Sequence, residues 1–237
     1  LALVGSACGS SEDDVATTAP TTSAATTEAP ATTTASTTIA ASTAAPTTTP
    51  SDYDVLDARD DAAAYFEAYN EGDVDAVVAL FEPDAEFSGF FGSLSRAEWE
   101  QLTVWNTAQG TVLSTPSCLL AEELIGVSVR LVCSYDNSGA VVQAVDGPAV
   151  PIRLTLTFTP EGITDWSREF GDPDFNVVGI PFSEWMTTHH PDEAASVEFG
   201  NWSSVEGAEQ NGVLTAQYGA EWRVYLDAND CAYDDGC

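Results

Sequence analysis

The sequence predicts an α+β domain in which helices come first, a run of strands follows and further helices end the chain. Two observations lead to this prediction. Apolar residues recur at helical spacings of three and four between residues 56 and 105, whereas between residues 112 and 170 they mostly alternate with polar residues at the two-residue period of a strand. Helices and strands that are separated along the chain in this way favour an α+β fold.

The first helix is predicted over residues 56–70, where acidic residues lie opposite the apolar positions. The segment "NEGD" ends it, because Gly72 suits a left-handed carboxy-terminal cap and Asp73 suits the amino-terminal cap of a second, short helix. That second helix is predicted over residues 74–81, and Pro83 is expected to end it.

An edge strand and a third helix are predicted next. The segment "DAEFSGFFG" is expected to form the strand or its lead-in. In "SRAEWEQLTVWNTAQG" the residues Ser95 and Glu98 have the spacing of a capping box. The apolar face of this helix would consist of Trp99, Leu102 and Trp105.

Four strands follow, with predicted ranges 112–120, 127–135, 152–158 and 163–170. In the third of them the apolar residues from Ile152 to Phe158 alternate with Arg153 and threonines, which is typical of a strand with one buried face. After the strands, "PFSEWMTTHH", "PDEAASVEF" and "VEGAEQNGVLTAQYGAEWRVYLD" predict helices that pack over the sheet or its open end.

The five cysteines divide into Cys8, near the start, and four that lie after residue 110. The segment "STPSCLLAEELIGVSVRLVCSYD" has the pattern of two strands around a turn, which sets Cys118 opposite Cys133 at a separation that a disulfide can span. A second disulfide is expected between Cys231 and Cys237. Buried free thiols are the alternative for the first pair, and the spacing disfavours zinc. Paired cysteines indicate an oxidising compartment.

Composition divides the chain into four predicted segments. These are a remnant of a secretion signal over residues 1–14, a disordered Thr/Ala/Pro-rich linker over 15–50, the main domain over 53–172, and a helical extension with a terminal disulfide loop over 173–237. All Trp and Phe residues lie after the linker, so the apolar area for a core is found only there.

The amino-terminal segment has the pattern of a processing signal. The sequence begins without Met, and an apolar run over residues 1–4 is followed by three small residues and then Cys8. This is similar to the lipobox of bacterial, in particular actinobacterial, lipoproteins, with Gly5 where a leucine is usual. The resemblance implies a lipidated Cys8 that anchors an extracytoplasmic protein to the cell membrane. The alternative is an ordinary signal peptide with a chance cysteine, which would make the protein secreted.

The chain is strongly acidic, with thirty-eight Asp and Glu residues against six arginines and a formal net charge of −32. Because nucleic-acid binding needs clustered Lys and Arg, no nucleic-acid partner is expected. No cofactor or metal is expected either: the acidic "DANDCAYDDGC" lacks the spacing of a calcium loop. The two histidines, His189 and His190, are interpreted as surface residues.

The segment "YFEAYNEGDVDAVVALFEPDAEF" combines a helix that ends at Gly-Asp, a short helix, Asp-Ala and the start of a strand. It resembles the SnoaL-like superfamily, also called nuclear transport factor two-like, and "PEGITDWSREF" is similar to the late strand pair of that family. The resemblance covers residues 56 to about 172. It implies a curved antiparallel sheet wrapped around the amino-terminal helices into a cone-shaped α+β barrel, whose apolar interior often holds a small molecule. Relatives include polyketide cyclases, a ketosteroid isomerase, epoxide hydrolases and non-enzymatic modules, so no single activity is implied.

The catalytic positions of the family transfer only in part. The tyrosine of the isomerase corresponds to Tyr65, but its general base falls on Gly89, which has no side chain. Epoxide hydrolases of the family use an arginine between two acids, and Arg168, on one strand face with Trp166, is expected in the cone or at its rim. No catalytic residue is therefore predicted. The residues expected to line the pocket are Tyr65, Phe87, Trp99, Trp105, Trp166 and Arg168.

Three classes of function are compatible with these patterns. The favoured hypothesis is an extracytoplasmic, lipid-anchored protein whose cone binds an apolar small molecule or a protein partner without catalysis. The alternatives are a cone enzyme (an isomerase, cyclase or hydrolase) that uses pocket Tyr, Asp or Glu residues, and a homodimerising module of the cell envelope. An enzyme needs a carboxylate or tyrosine of raised pKa in an apolar cavity, and a dimerisation module needs an exposed apolar sheet face.

Overall fold

The computed structural model of the chain describes residues 53–90, 92–171, 177–197, 200 and 202–234. Four predictions fall outside the described residues and stay predictions. They are the lipidation of Cys8 within the secretion signal predicted over residues 1–14, the linker over residues 15–50, the domain boundary near residue 172 and the bridge from Cys231 to Cys237. No helix among the described residues is long and apolar enough to cross a membrane.

Capping residues set the ends of the amino-terminal helices. The helix bounds are α1 (Val55–Glu71), α2 (Val74–Ala79), α3 (Arg96–Ala108), α4 (Ala140–Ala144), α5 (Gly179–His189) and α6 (Val205–Asn229). The Asp54 carboxylate accepts hydrogen bonds from the first turn of α1, and Gly72 ends that helix at a φ of 74°. Ser95 and Glu98 form the predicted capping box of α3. The helix predicted at "PDEAASVEF" is instead a 3₁₀ turn over Ala194–Ser196, and α4 has no counterpart in the sequence prediction.

The strand bounds are β1 (Phe81–Gly89), β2 (Gly92–Leu94), β3 (Val112–Leu124), β4 (Ser128–Ser138), β5 (Val150–Thr159) and β6 (Gly162–Phe170). Within the described residues these strands form one six-stranded sheet in the order β2-β1-β6-β5-β4-β3. The antiparallel run from β3 to β6 confirms the four predicted strands and the α+β class. The sheet is curved and unclosed, and it is mixed rather than purely antiparallel because β1 runs parallel to β6.

The second helix is shorter than predicted, and the first strand begins earlier. Helix α2 ends at Ala79, and Pro83 lies within β1 instead of ending a helix. Phe81 pairs with Ile163 of β6 and is buried in the core, so tertiary packing overrides the helical pattern. Pro83 is tolerated because the β1–β6 pairing is irregular between Phe81 and Glu86, where a residue without an N–H costs little.

The main core lies between α1 and the inner face of the sheet. The two-residue period places alternate residues of β4 and β5 on that face, namely Val129, Leu131, Cys133, Tyr135, Ile152, Leu154, Leu156 and Phe158. Phe66 of α1 contacts the ring of Tyr135 edge-on, with 5.4 Å between centroids. The predicted disulfide from Cys118 to Cys133 is confirmed and joins directly paired residues of β3 and β4, whose Cα atoms are 4.0 Å apart.

The carboxy-terminal helices form a second apolar cluster rather than covering the sheet. Its buried members are Val145, Val178, Phe182, Trp185, Met186, Tyr218, Trp222 and Leu226. The expectation that these helices pack over the sheet or its open end is wrong for α6, whose main contacts are with α3 and α4. Small residues such as Ala208 and Gly212 let α6 approach α3, and the indole N–H of Trp105 donates a 2.6 Å hydrogen bond to Oδ1 of Asn211.

Gly212→Ala is expected to lower the free energy of unfolding by about 1–3 kcal/mol, because overpacking forces helices apart. A Cβ at this position would lie 2.6 Å from the carbonyl oxygen of Trp105 and 2.8 Å from Cβ of Ala108. Chemical denaturation measures the effect. The control is Gly207→Ala in the first turn of α6, where an added Cβ would lie 3.3 Å from the Ser204 hydroxyl oxygen as its nearest atom. Because alanine has a higher helix propensity than glycine, this variant should be as stable as the wild type or more stable. Equal losses in both variants would contradict this packing.

Candidate functional site

A cavity of about 200 Å³ lies where the ends of β1, β2, α3 and β6 meet. Its apolar lining consists mainly of Phe90, Leu94, Leu102 and Trp166. The other lining residues are Gly89, Glu98, Gln101, Arg168, Gly200 and Trp202. Among these described residues the cavity is therefore largely apolar, with one cation and one carboxylate.

The two-residue period of β6 brings Arg168 to this cavity. Trp166 and Arg168 share the inner face of the strand and pair with two leucines of β5. Both side chains are buried, with 3% of Trp166 and 6% of Arg168 exposed. The indole N–H of Trp166 donates a 3.1 Å hydrogen bond to the hydroxyl of Tyr65 on α1. The cavity therefore borders directly on the main core.

Three buried tyrosines, Tyr65, Tyr69 and Tyr135, lie within electrostatic range of the Arg168 guanidinium. Burial raises the pKa of each hydroxyl above its ordinary value, and the positive charge of Arg168 opposes that rise. For Tyr135 a hydrogen bond with Arg168 opposes it further. All three hydroxyls stay protonated at neutral pH, so they are hydrogen-bonding groups and not bases.

The acidic residues of β6 lie on the other face of the sheet. Asp165 and Glu169 alternate with Trp166 and Arg168, so they point away from the core. Partial burial raises the pKa of Asp165, and the charge of Arg130 opposes that rise. Among the described residues Arg168 forms no ion pair. The arrangement of an arginine between two acids is therefore absent from the described part of the cone.

Glu98 is the only carboxylate among the described lining residues. Its oxygen accepts hydrogen bonds from the backbone N–H and the hydroxyl of Ser95, both at 2.7 Å. These two hydrogen bonds lower the pKa of Glu98. The carboxylate thus serves the amino-terminal cap of α3 and is a weak base.

Five of the six predicted pocket residues lie in or next to the cavity. Trp166 and Arg168 line it. Tyr65, Phe87 and Trp99 lie in the adjoining core, where the rings of Phe87 and Trp99 stack with 4.5 Å between centroids. These three residues therefore support the cavity without lining it.

Trp105, the sixth, lies in the contact between α3 and α6, where it binds Asn211 and stacks on Trp202. Sequence reasoning missed Tyr69 and Tyr135. Both had a signal: Tyr69 is one helical turn after Tyr65, and Tyr135 is two residues after Cys133 on the same strand face. Phe90 was also missed, because a residue just after a strand end has no periodicity to place it.

The remaining candidate positions divide between the cavity and the second cluster. Gly89 lines the cavity, so the position that matches the isomerase base carries no side chain there. His190 Nε2 lies 3.1 Å from an oxygen of Glu221, and His189 Nδ1 lies 3.0 Å from the Trp185 carbonyl oxygen. Neither histidine lines the cavity. Within the described part of the chain, no group of His, Cys, Asp and Glu side chains could hold a metal ion.

No protein-family model matches the chain, and no curated protein has a significantly similar sequence. Similar solved structures include an NTF2-like protein of unknown function from Cytophaga hutchinsonii, with 17% identity, coverage of 48% of this chain and 89% of that chain, and a TM-score of 0.35. The structural neighbours are NTF2-like and SnoaL-like proteins.

Two further neighbours are described by their chemistry. SalBIII is an epoxide hydrolase/cyclase-like enzyme with a role in pyran ring formation in the polyether salinomycin. It is 24% identical, the match covers 51% of this chain and 95% of that chain, and the TM-score is 0.40. A candidate polyketide cyclase from Xanthomonas campestris is 18% identical, with coverage of 47% of this chain and 87% of that chain and a TM-score of 0.37. Likeness at this level says nothing about the activity of this chain.

Tyr69→Phe is expected to reduce the alkaline loss of stability. The pKa of Tyr69 is raised well above its ordinary value of 10.0 in the folded chain, so above that pH the unfolded chain releases a proton that the folded chain keeps. The stabilisation is thus fully present below about pH 10 and falls above it by about 1.4 kcal/mol per pH unit for each such tyrosine. Between about pH 10 and 12 the free energy of unfolding of the variant should therefore fall less steeply, because the contribution of Tyr69 is missing.

Urea unfolding at a series of pH values measures both slopes. Wild type and variant should have parallel pH dependence below about pH 9, which serves as the internal control. Identical slopes above pH 10 would show that Tyr69 titrates normally in the folded chain.

Proposed function

We propose that the domain binds an apolar small molecule in the cavity between β1, β2, α3 and β6, without catalysing its conversion. The observation that carries this proposal is the cavity itself, which has an aromatic and aliphatic lining and one buried cation. Concave, mostly apolar pockets with a few convergent polar groups are the usual small-molecule sites of proteins.

The protonation states around the cavity support binding over catalysis by a general base. A general base must lie within reach of the substrate and have a pKa near the working pH. Burial keeps the tyrosines protonated, and the capping box lowers the pKa of Glu98. Gly89 offers no side chain. The described lining therefore provides hydrogen-bond donors and a cation, but no base suited to neutral pH.

The outer face of the sheet supports small-molecule binding over dimerisation. A dimerisation module would present a continuous apolar face. Thr155 and Thr157 of β5 and Ser167 of β6 occupy this face instead. Exposed apolar residues such as Leu119 and Ile125 lie in the β3–β4 hairpin, at one edge of the sheet.

Gly89→Leu is expected to abolish ligand binding, because its side chain would occupy the cavity. The backbone of Gly89 has no positive φ, and an added Cβ would first meet the flexible side chain of Leu94 at 3.3 Å, so the fold should persist. Native mass spectrometry of protein purified gently from its host should show added mass on the wild type and none on the variant. Ser88→Leu places the same side chain on the opposite face of β1 and should keep the ligand. Bare wild-type protein, or equal added mass on both variants, would refute the proposal.

We also propose that the protein is anchored by a lipid at Cys8 and acts outside the cytoplasm. The small residues before Cys8 and the disulfide from Cys118 to Cys133 support this location, since disulfides are typical of oxidising compartments. Residues 15–50 would then link the anchor to the domain.

Cys8→Ser is expected to move the protein from the membrane fraction to the soluble fraction, because the variant lacks the thiol that acyl chains modify. Fractionation of cells that express the full precursor, followed by immunoblotting, measures the distribution. The matched control is Ser11→Ala, which changes a nearby residue and should stay with the membrane. An unchanged distribution of Cys8→Ser would disprove the anchor and leave the cavity proposal intact.

A further inference from the structure

Arg168 is buried without a carboxylate partner among the described residues. Its side chain is 6% exposed, and its Nε is buried without a hydrogen-bond partner. Arg96, Arg130 and Arg223, in contrast, each form an ion pair at the surface. Burial of an unpaired charge is costly, because the lost hydration is not replaced. An opposing charge that reaches Arg168 would remove this cost.

The neighbours of the guanidinium compensate its charge only in part. The ring of Phe90 lies 5.0 Å from Cζ, in reach of a cation–π interaction, and the guanidinium opposes the rise that burial causes in the pKa of the nearby Tyr135 hydroxyl. Both groups are neutral. Asp165 and Glu169 point to the other face of the sheet, and Glu98 is bound in the cap of α3. The cavity is the side from which an anion can approach.

We propose that the cavity binds a small amphipathic carboxylate, with the acid group on Arg168 and the apolar body against Trp166 and Leu102. This rests on the proposed binding of a small molecule in the cavity. A guanidinium presents a planar set of N–H donors that matches a carboxylate in two parallel hydrogen bonds. One negative charge balances the single cation, whereas a phosphate monoester carries about −1.5 to −2 and leaves excess charge in an apolar site. An amine would place two cations together.

Three probes of similar size separate the role of charge from that of apolar area: 3-phenylpropanoate, 3-phenylpropanol and 3-phenylpropylamine. Isothermal titration calorimetry at pH 7 measures their affinities. Wild-type protein should bind the acid on the order of tenfold or more tightly than the alcohol, and the amine most weakly. Arg168→Met keeps an unbranched apolar stem but removes the guanidinium, so it should lose this preference. The matched control is Arg153→Met, at an exposed arginine on the outer face of β5, which should keep it.

The outcomes distinguish this inference from the proposed function. Equal affinity for acid and alcohol, tighter binding of the amine, or no binding of any probe to the wild type overturns the carboxylate site. Ligand mass that Gly89→Leu removes would still support small-molecule binding in each of these cases. An acid preference that survives in Arg168→Met also overturns it. So does tighter binding of 2-phenylethyl phosphate than of 3-phenylpropanoate, since the phosphate represents the alternative anion. The wild-type series needs no variant to fold, and Arg168→Lys, which keeps the charge without the planar donors, should give an intermediate preference.

Discussion

The fold depends on the contact between the aromatic face of α1 and the inner face of the sheet. The indole N–H of Trp166 donates to the hydroxyl of Tyr65, and Phe66 packs edge-on against Tyr135. These groups are buried, so loss of one hydrogen-bonding partner would leave the other unsatisfied at a cost of about 1–3 kcal/mol. Arg168 follows Trp166 by two residues on the same face of β6, and so the contact that fixes the core also fixes the cation of the cavity.

Several elements that depend on local signals were predicted, whereas two that depend on distant contacts were not. Gly72 and the capping box of Ser95 are encoded within a few residues, and the disulfide of Cys118 follows from the register of one hairpin. The parallel pairing of β1 with β6 and the packing of α6 on α3 join residues that are far apart in the chain. No local pattern specifies them. Phe81 shows the consequence, because its place in a helical pattern is overridden by burial against the sheet.

In the candidate site, too, local patterns predicted which residues share a face but not where distant elements pack. The period of β6 was sufficient to place Trp166 and Arg168 on one face, and both line the cavity. Periodicity does not reveal where packing leaves a space, so Phe87 and Trp99, expected in the pocket, lie in the core instead. Trp105 was predicted on one apolar face of α3 with Trp99 and Leu102, but it is half-buried against α6, whereas the buried residues of α3 are Trp99, Thr103, Val104 and Asn106. The helical spacing is the same whether the neighbour is a pocket or another helix.

The net charge of the chain repels an anionic ligand, whereas Arg168 in the cavity attracts it. A formal net charge of −32 repels anions from the surface, although salt screens that repulsion beyond about 8 Å at physiological ionic strength. Within the cavity the apolar lining lowers the local dielectric constant, so the charge of Arg168 acts more strongly there than it would in water. A hydrophilic anion has no apolar surface to bury in the cavity, so apolar burial does not offset the repulsion. For the proposed amphipathic acid, the apolar area buried against Trp166 and the charge that replaces the lost hydration of Arg168 would together offset this repulsion.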